Sequence, residues 1–339
     1  MLAELGRVSR QLGTVTPARL YHAAGLFASF WRARLTGRPV LRFLPVSVGI
    51  EPTTSCNLRC PECPSGLRSF TRPTGRIDPG FFREIIDQLH PHVGYLTFYF
   101  QGEPYLHPDF LTMTRYAADR KIYTVTSTNA HYLTHENARA TVSSGLRELI
   151  ISMDGTTQQS YEKYRIGGNL EHVLEGTRRL IGEKKKTRSP WPRVIIQFVV
   201  FRHNEREIDR VKELAIALGV DEIRLKSAQV YDFENGSDLI PEAGRYARYT
   251  KGRGGTWQIK NPYLNHCWKM WHSCVITWDG RVVPCCFDKD ASHVMGNLNQ
   301  ESFRDIWFGE RYRAFRASLF RSRADIDICR NCTEGLEVS

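Results

Sequence analysis

Strand-like and helix-like stretches alternate through the middle of this chain, and that alternation narrows the fold more than any other feature. Val46–Ile50 reads as a buried strand. Asp78 and Pro79 then open a helix that runs to about Leu89, with the aspartate as cap and the proline in the first turn. Further strands are expected at Tyr95–Phe100, Ile122–Thr126, Glu148–Met153, Val194–Phe201 and Glu222–Leu225. The intervening helices are expected at Pro108–Arg120, Thr134–Ser144 and Leu170–Lys185, and from a cap at Asn204 to a stop at Gly219. Repeated βα units with short connections predict an α/β chain on a parallel sheet, curved into a partial barrel. Chemistry in such sheets sits at the carboxyl ends of the strands. Four motifs fall there: the loop after the first strand, Gln101-Gly102-Glu103-Pro104, Ser127-Thr128-Asn129, and Ser152-Met153-Asp154-Gly155.

The first of these loops carries Cys56, Cys60 and Cys63 in the spacing Cys-x3-Cys-x2-Cys, with no fourth cysteine nearby. Structural zinc sites and ordinary iron–sulfur clusters take four protein ligands. Three thiolates in a compact loop point instead to a cubane cluster with one iron open to a non-protein ligand. The other reading is half of a zinc site completed from elsewhere in the chain.

Nine cysteines in a chain of 339 residues, with no secretory signal in the first ten, fit metal binding in a reducing cytoplasm better than a disulfide framework. The net charge is +11, and residues 1–45 supply +6 of it, seven arginines less Glu4. There Arg7, Arg10, Arg19, Arg32, Arg34, Arg38 and Arg42 interleave with Leu20, Leu26, Phe27, Phe30 and Trp31 as on an amphipathic helix. Such an extension either touches a membrane surface or partner protein, or packs on the domain with its arginines solvated. The packed helix is the favoured reading. No recognition motif accompanies the charge, so nucleic acid is not an expected partner.

The triplet resembles the signature of the radical S-adenosylmethionine (SAM) enzymes, and the likeness extends over about residues 46–225. In that family the open iron chelates SAM, and one electron cleaves it to methionine and a 5′-deoxyadenosyl radical. The resemblance implies a partial (β/α)6 barrel over 46–231. Gln101–Pro104 is similar to the family's Gly-Gly-Glu-Pro motif, which makes Gly102 and Glu103 expected partners of the SAM amino group. Gln101 departs from that motif, as Pro61 departs from the aromatic residue often found beside the adenine. Ser152 and Arg165 match a serine and arginine that contact SAM in related maturases, and Asn129 belongs to a Thr-Asn-Gly-like turn ending here in Ala130.

The remaining cysteines lie beyond residue 266. The interval Cys267-x12-Gly280-x4-Cys285, the hairpin text Trp278–Cys285 and the pair Cys329 and Cys332 resemble the SPASM/twitch extension of one branch of the family. Cys267, Cys285, Cys329 and Cys332 would then hold one auxiliary 4Fe–4S cluster in a small α+β domain at 263–339, after a bridging segment at 232–262. A zinc ribbon is the other reading of those four. Cys274 and Cys286 are left over. A spare cysteine is commonly a small buried hydrophobe. Cys286 is also a candidate hydrogen-atom donor, or a substitute for Cys285 as ligand.

The resemblance implies an enzyme that modifies a peptide or protein by oxidation, cross-linking or epimerisation, or alternatively one that oxidises or epimerises a small metabolite such as a sugar. It implies a low-potential electron donor such as ferredoxin or flavodoxin. A non-catalytic zinc- or cluster-binding interaction protein is the reading from a different class.

Overall fold

The computed structural model describes residues 12–260 and 264–333. Arg7, Arg10 and the boundary expected at 262–263 lie outside the described residues. After an N-terminal helix α1 (Pro17–Thr36) come β1 (Ser47–Ile50), α2 (Pro79–Leu89), β2 (Tyr95–Thr97), α3 (Phe110–Asp119), β3 (Tyr123–Thr128), α4 (His135–Ser143) and β4 (Glu148–Ser152). α5 (Leu170–Lys186), β5 (Arg193–Val200), α6 (Ile208–Leu218) and β6 (Glu222–Ser227) complete the repeat. Asp78 caps α2 by accepting a hydrogen bond from the Phe81 amide, and Gly219 ends α6 in a left-handed conformation. Asn204 does not cap α6. A short 3-10 turn intervenes, and the Asn204 amide turns inward to donate to the Asp154 and Val199 carbonyls.

β1 to β6 pair in sequence order, all parallel. Alternation along each strand sorts the side chains into two faces. On β5, Val194, Ile196, Phe198 and Val200 pack into the main core beneath the helices. Ile195 points to the other face, where it joins Tyr123, Val125 and Ile150, with Tyr95 and Tyr99 packed against them. This second face lines the inside of the partial barrel.

The C-terminal part continues the same sheet. β9 (Val275–Ile276) pairs in parallel with β1, Gly49 opposite Val275, and β10 (Arg281–Val283) and β11 (Gly296–Asn297) follow antiparallel. The strand order is therefore β11-β10-β9-β1-β2-β3-β4-β5-β6. Between β6 and β9 the antiparallel pair β7 (Tyr249–Lys251) and β8 (Trp257–Ile259) stands apart, on its own apolar cluster of Val230, Phe233, Ile240, Ala247, Tyr249 and Ile259. Two longer helices, α7 (Phe303–Phe308) and α8 (Glu310–Arg321), follow in the tail, before the short turns that carry Cys329 and Cys332.

α1 packs on both halves. Phe30 sits among the rings of Trp268, Trp271 and His266. Arg32, Arg34, Arg38 and Arg42 are exposed, as expected for a packed helix, but Arg19 is not. Its guanidinium donates to the carbonyls of Thr14 (2.5 Å), Lys121 (2.6 Å), His90 (2.8 Å) and Arg120 (3.2 Å). Three of these acceptors lie at or just past the C-terminal ends of α2 and α3, where unsatisfied carbonyls carry partial negative charge. Arg19→Ala leaves those acceptors without their charged donor and should lower stability by about 2–4 kcal/mol, read from the denaturant midpoint. A change under about 0.5 kcal/mol would show that water replaces the guanidinium there. No helix among the described residues is long and apolar enough to cross a membrane.

Candidate active site

The loop after β1 is held from several sides. The Arg59 amide donates to the Ile166 carbonyl, and the Leu58 amide points at the Cys56 sulfur at 3.5 Å. Opposite, the turn after β2 presses its backbone against this loop. The Glu103 amide donates to the Ser55 carbonyl at 2.7 Å. Gly102 has φ +74°, and a Cβ there would lie 2.3 Å from the Thr53 carbonyl oxygen, so only glycine fits.

One cavity of about 290 Å³ opens at the carboxyl edge of the strands. Cys56, Cys60 and Cys63 line it together with Gly102, Glu103, Asn129, Ser152 and Arg165. Every barrel residue expected at the site therefore faces one space.

Glu103 is buried, and its carboxylate accepts hydrogen bonds from the Thr128 hydroxyl (2.7 Å), the Asn129 amide (2.8 Å) and the Tyr105 amide (3.2 Å). All three donors are neutral. Burial therefore prevails over them and raises the Glu103 pKa to about 7. Asn129 also donates from its side chain to Asn57 in the cysteine loop, at 2.7 Å. The turn closes through Ala130 at φ +65°, a left-handed position usually given to glycine. Ser152 lies 3.4 Å from the Ser127 hydroxyl.

Arg165 is oriented by a residue the sequence reading did not single out. Asp154, fully buried at the end of β4, accepts from Arg165 Nε at 2.6 Å and from the Val199 amide at 2.7 Å. Burial opposes the Arg165 charge, but Asp154 and then Cys60 outweigh it and hold the guanidinium firmly protonated. Its Nη1 lies 3.8 Å from the Cys60 sulfur. The pairing of an acid at a strand end with an arginine eleven positions later is visible in the sequence only once Arg165 is placed at the site.

The far wall comes from the tail. Lys289 lines the cavity beside Glu62 and Tyr99, and its ammonium donates to the Tyr231 hydroxyl at 2.7 Å. Tyr231 is anchored by its amide to the Glu62 carboxylate at 2.8 Å. Arg72 forms a buried two-point pair with Glu51 (2.6 and 2.9 Å) and donates from Nε to the Lys289 carbonyl at 3.1 Å. The chain after the cysteine loop thus grips the segment that presents Lys289. No sequence motif marks Lys289, because only the pairing of β9 with β1 brings it here.

Cys267, Cys285, Cys329 and Cys332 form a second neighbourhood. Burial raises the Cys285 thiol pKa well above its ordinary value, with smaller contributions from Cys286, Cys332 and Cys267. Arg323 sits beside Cys332 at 3.2 Å; burial lowers its pKa, but Cys267, Cys332 and Cys329 more than restore it. Cys274 is buried away from this group, against Tyr312 and Arg316. Cys286 is exposed, and its sulfur stands 4.0 Å from Lys269 Nζ.

Among the described residues, no three His, Cys, Asp or Glu side chains close on a point as the ligands of a single metal ion do. The donor chemistry fits iron–sulfur clusters. In the barrel, three thiols, Cys60 buried and Cys56 and Cys63 half-buried, share a cavity with a carboxylate that meets only neutral donors. In the tail, the thiols of Cys267, Cys329 and Cys332 bear on one buried guanidinium, that of Arg323, and Cys285 neighbours Cys267 and Cys332. Burial, the largest cause, with neighbouring thiols adding to it, pushes the Cys56 and Cys329 thiols up to about 12, so these two favour the neutral thiol until a bound cationic centre takes up the thiolate charge.

Comparison with known proteins agrees with this geometry. The family model for the Radical SAM superfamily matches residues 50–215, and that for SPASM, an iron–sulfur cluster-binding domain, matches residues 267–333. The chain is 28% identical over 304 residues to the tungsten-containing aldehyde ferredoxin oxidoreductase cofactor-modifying protein of Pyrococcus furiosus, covering 79% of this chain and 82% of that protein. It is 23% identical over 291 residues to the S-adenosyl-L-methionine-dependent 2-deoxy-scyllo-inosamine dehydrogenase of Niallia circulans, covering 84% and 91%. Among solved structures it shares the fold of Streptococcus suis SuiB bound to precursor peptide SuiA, with TM-score 0.61 and 13% identity, covering 84% of this chain and 69% of SuiB.

Proposed function

We propose, for a chain that belongs to the radical SAM superfamily and carries a C-terminal SPASM domain, that it oxidises a small polar metabolite by removing hydrogen. The observation that carries this reading is the single cavity shared by the three thiols, the buried Glu103 and the Asp154–Arg165 pair. Cys56, Cys60 and Cys63 would hold the first 4Fe–4S cluster, and Cys267, Cys285, Cys329 and Cys332 a single auxiliary one. Bound there, the first cluster and SAM supply the 5′-deoxyadenosyl radical, and the auxiliary cluster supplies an acceptor for a further electron.

The chain's own residues bind and orient. Glu103 and the backbone at Gly102 receive the SAM ammonium. Arg165, its plane fixed by Asp154 through Nε, receives the carboxylate. Asn129 and Ser152 hydrogen-bond the remainder of SAM. Ferredoxin or flavodoxin is the type of electron donor this chemistry requires. One finding favours a small substrate over a peptide: besides the cysteines, the cavity carries the charged and hydroxylated side chains of Glu62, Tyr99, Ser127 and Lys289. Oxidation is the reaction we infer because the four tail thiols would hold an acceptor for the second electron; Cys286, beside Cys285, is the candidate donor that the heavy-water experiment tests.

Anaerobically reconstituted, reduced protein should form 5′-deoxyadenosine faster with the ultrafiltered metabolites of a cell extract than with the retained peptides and proteins. In heavy water the product should be lighter by two hydrogens, carry no deuterium at the reacting carbon, and still form in Cys286→Ala. Stimulation by the peptide fraction alone would overturn the small-molecule reading. Solvent deuterium at that carbon, lost in Cys286→Ala, would replace oxidation by epimerisation.

A further inference from the structure

α1 has two apolar faces. Arg19, Leu26, Phe30 and Ala33 are buried and form the stripe that packs on the rest of the chain. Leu20, Phe27 and Trp31 each stand one position further on, which turns them about 100° round the helix. Leu35 continues their line at the same four-residue step, and Ala24 fills it between Leu20 and Phe27. The four large side chains of this second stripe are 40% (Trp31) to 85% (Leu35) exposed, and Tyr21 beside them is exposed as well. Single exposed apolar side chains are ordinary, but a line of them along about four turns of one helix marks a contact surface.

The charges around the stripe have one sign. Residues 5–50 contain no aspartate or glutamate. Arg32 and Arg34 are exposed on either side of the Trp31–Leu35 end, and exposed Arg38 follows the helix. The Arg34 guanidinium lies over the Trp31 ring at 4.6 Å, so its stem covers apolar surface while its charge stays at the edge. Past the helix, exposed Val40 lines a cavity of about 680 Å³ with Arg42, Arg304 and Arg313, against one lining acid among the described residues, Asp305. A partner of this face must offer an apolar layer and negative charge together. A second copy of the chain does not, because a two-fold contact would set two acid-free arginine faces against each other. The outward side of a helix is a convex ridge. With a tryptophan, a tyrosine and only arginines as its charges, this ridge fits the headgroup boundary of an anionic bilayer, where rings and arginine heads sit among the headgroups and apolar side chains reach below them.

We propose that the outer face of α1 lies on an anionic membrane surface, with Leu20, Phe27, Trp31 and Leu35 entering the acyl boundary and Arg32, Arg34 and Arg38 meeting lipid phosphates. The helix lies on the bilayer and does not cross it, since its other face is fixed to the protein: Phe30 packs on Trp268 and Trp271, and Arg19 donates to the Lys121 and His90 carbonyls. None of the contact residues lines the cavity of the three thiols, so the contact holds the chain at the surface and is independent of the reaction proposed above.

The test is flotation of the reconstituted full chain with vesicles, one set of phosphatidylcholine alone and one with phosphatidylglycerol mixed in. The expected result is flotation with the mixed vesicles at low salt, weakening as salt is raised, and little with phosphatidylcholine alone. Phe27→Ser, Trp31→Ser and Leu35→Ser combined remove apolar area from the contact and should weaken partitioning by about tenfold or more. Arg32→Gln, Arg34→Gln and Arg38→Gln combined should weaken it by about as much and flatten its salt dependence. All six side chains are exposed, so iron content and melting temperature should stay at wild-type values in both variants. No flotation with the mixed vesicles, equal flotation with phosphatidylcholine alone, or unchanged flotation in either variant would each overturn the proposal. A dimer seen by light scattering without vesicles, and lost in the serine variant, would give the face to a second copy instead. SAM cleavage under dithionite is measured in the same preparations and should be equal in all three proteins. Its absence from wild type would count against the radical SAM reading and leave the membrane contact standing.

Discussion

Replacing Cys56, Cys60 and Cys63 together by alanine is expected to lower the iron content of the reconstituted chain from about eight to about four and to abolish reductive cleavage of SAM. The barrel thiols and the tail thiols are separate sets, so losing one set leaves the other able to load. Arg323 contacts Cys332 in the tail, whereas Arg165 contacts Cys60 in the barrel. The scaffold behind the barrel loop does not depend on the thiols either. It is held by the Glu51–Arg72 pair, the Arg59 bond to Ile166 and the Glu103 bond to Ser55. The variant should therefore fold, and a loss of activity would report on the cluster. Iron quantified against protein, with 5′-deoxyadenosine measured under dithionite, checks both halves. Continued SAM cleavage by the triple variant would remove the assignment of these thiols. Stoichiometric zinc with little iron in the wild type would favour the non-catalytic reading.

The sequence made the barrel legible because its signals are local. Asp78 and Pro79 mark the start of α2, Gly219 marks the end of α6, and mostly apolar stretches such as Val194–Phe201, with only Gln197 polar, mark strands. That the candidate site residues share one cavity was legible for a related reason. Glu103, Asn129 and Ser152 each follow or end a strand, and a parallel sheet gathers its strand ends on one edge. What escaped depends on contacts far apart in the chain. Val275 and Ile276 form a strand of two residues whose partner is β1, and nothing in so short a run announces a parallel pairing across more than two hundred positions. That pairing decides where Lys289 lies. Arg19 escaped similarly. On a helical projection it is one arginine among several on a basic helix, and its burial follows from the carbonyl ends of two other helices meeting beneath it. Asn204 looked like a helix cap because its spacing before α6 was right. Its Oδ1, the atom a cap would offer, accepts instead from the Phe201 amide, while its Nδ2 donates to the carbonyls of Asp154 and Val199.

Glu103→Ala is expected to weaken SAM binding by tenfold or more while leaving both iron–sulfur sites loaded. The carboxylate meets only neutral donors directly, so a ligand ammonium would be its first direct cationic partner. A charge-assisted hydrogen bond of that kind contributes on the order of 1.5–3 kcal/mol, which corresponds to roughly ten- to hundredfold in affinity. The charge state gives the prediction a pH signature. Burial raises the pKa of Glu103 to about 7 without ligand, and a bound ammonium must lower it, because it stabilises the ionised form. Linkage then fixes the sign: SAM affinity is full above pH of about 7 and falls as pH drops through that value, by up to about tenfold per pH unit. Glu103→Gln keeps the side-chain shape but carries no charge, so its affinity should be low and nearly flat between pH 6 and 8, an interval of roughly one unit either side of the wild-type midpoint. The measurement is the SAM dissociation constant of the reconstituted protein across that interval, with iron content determined at each point. If wild-type affinity were as flat as that of Glu103→Gln, the ammonium would not be what Glu103 recognises.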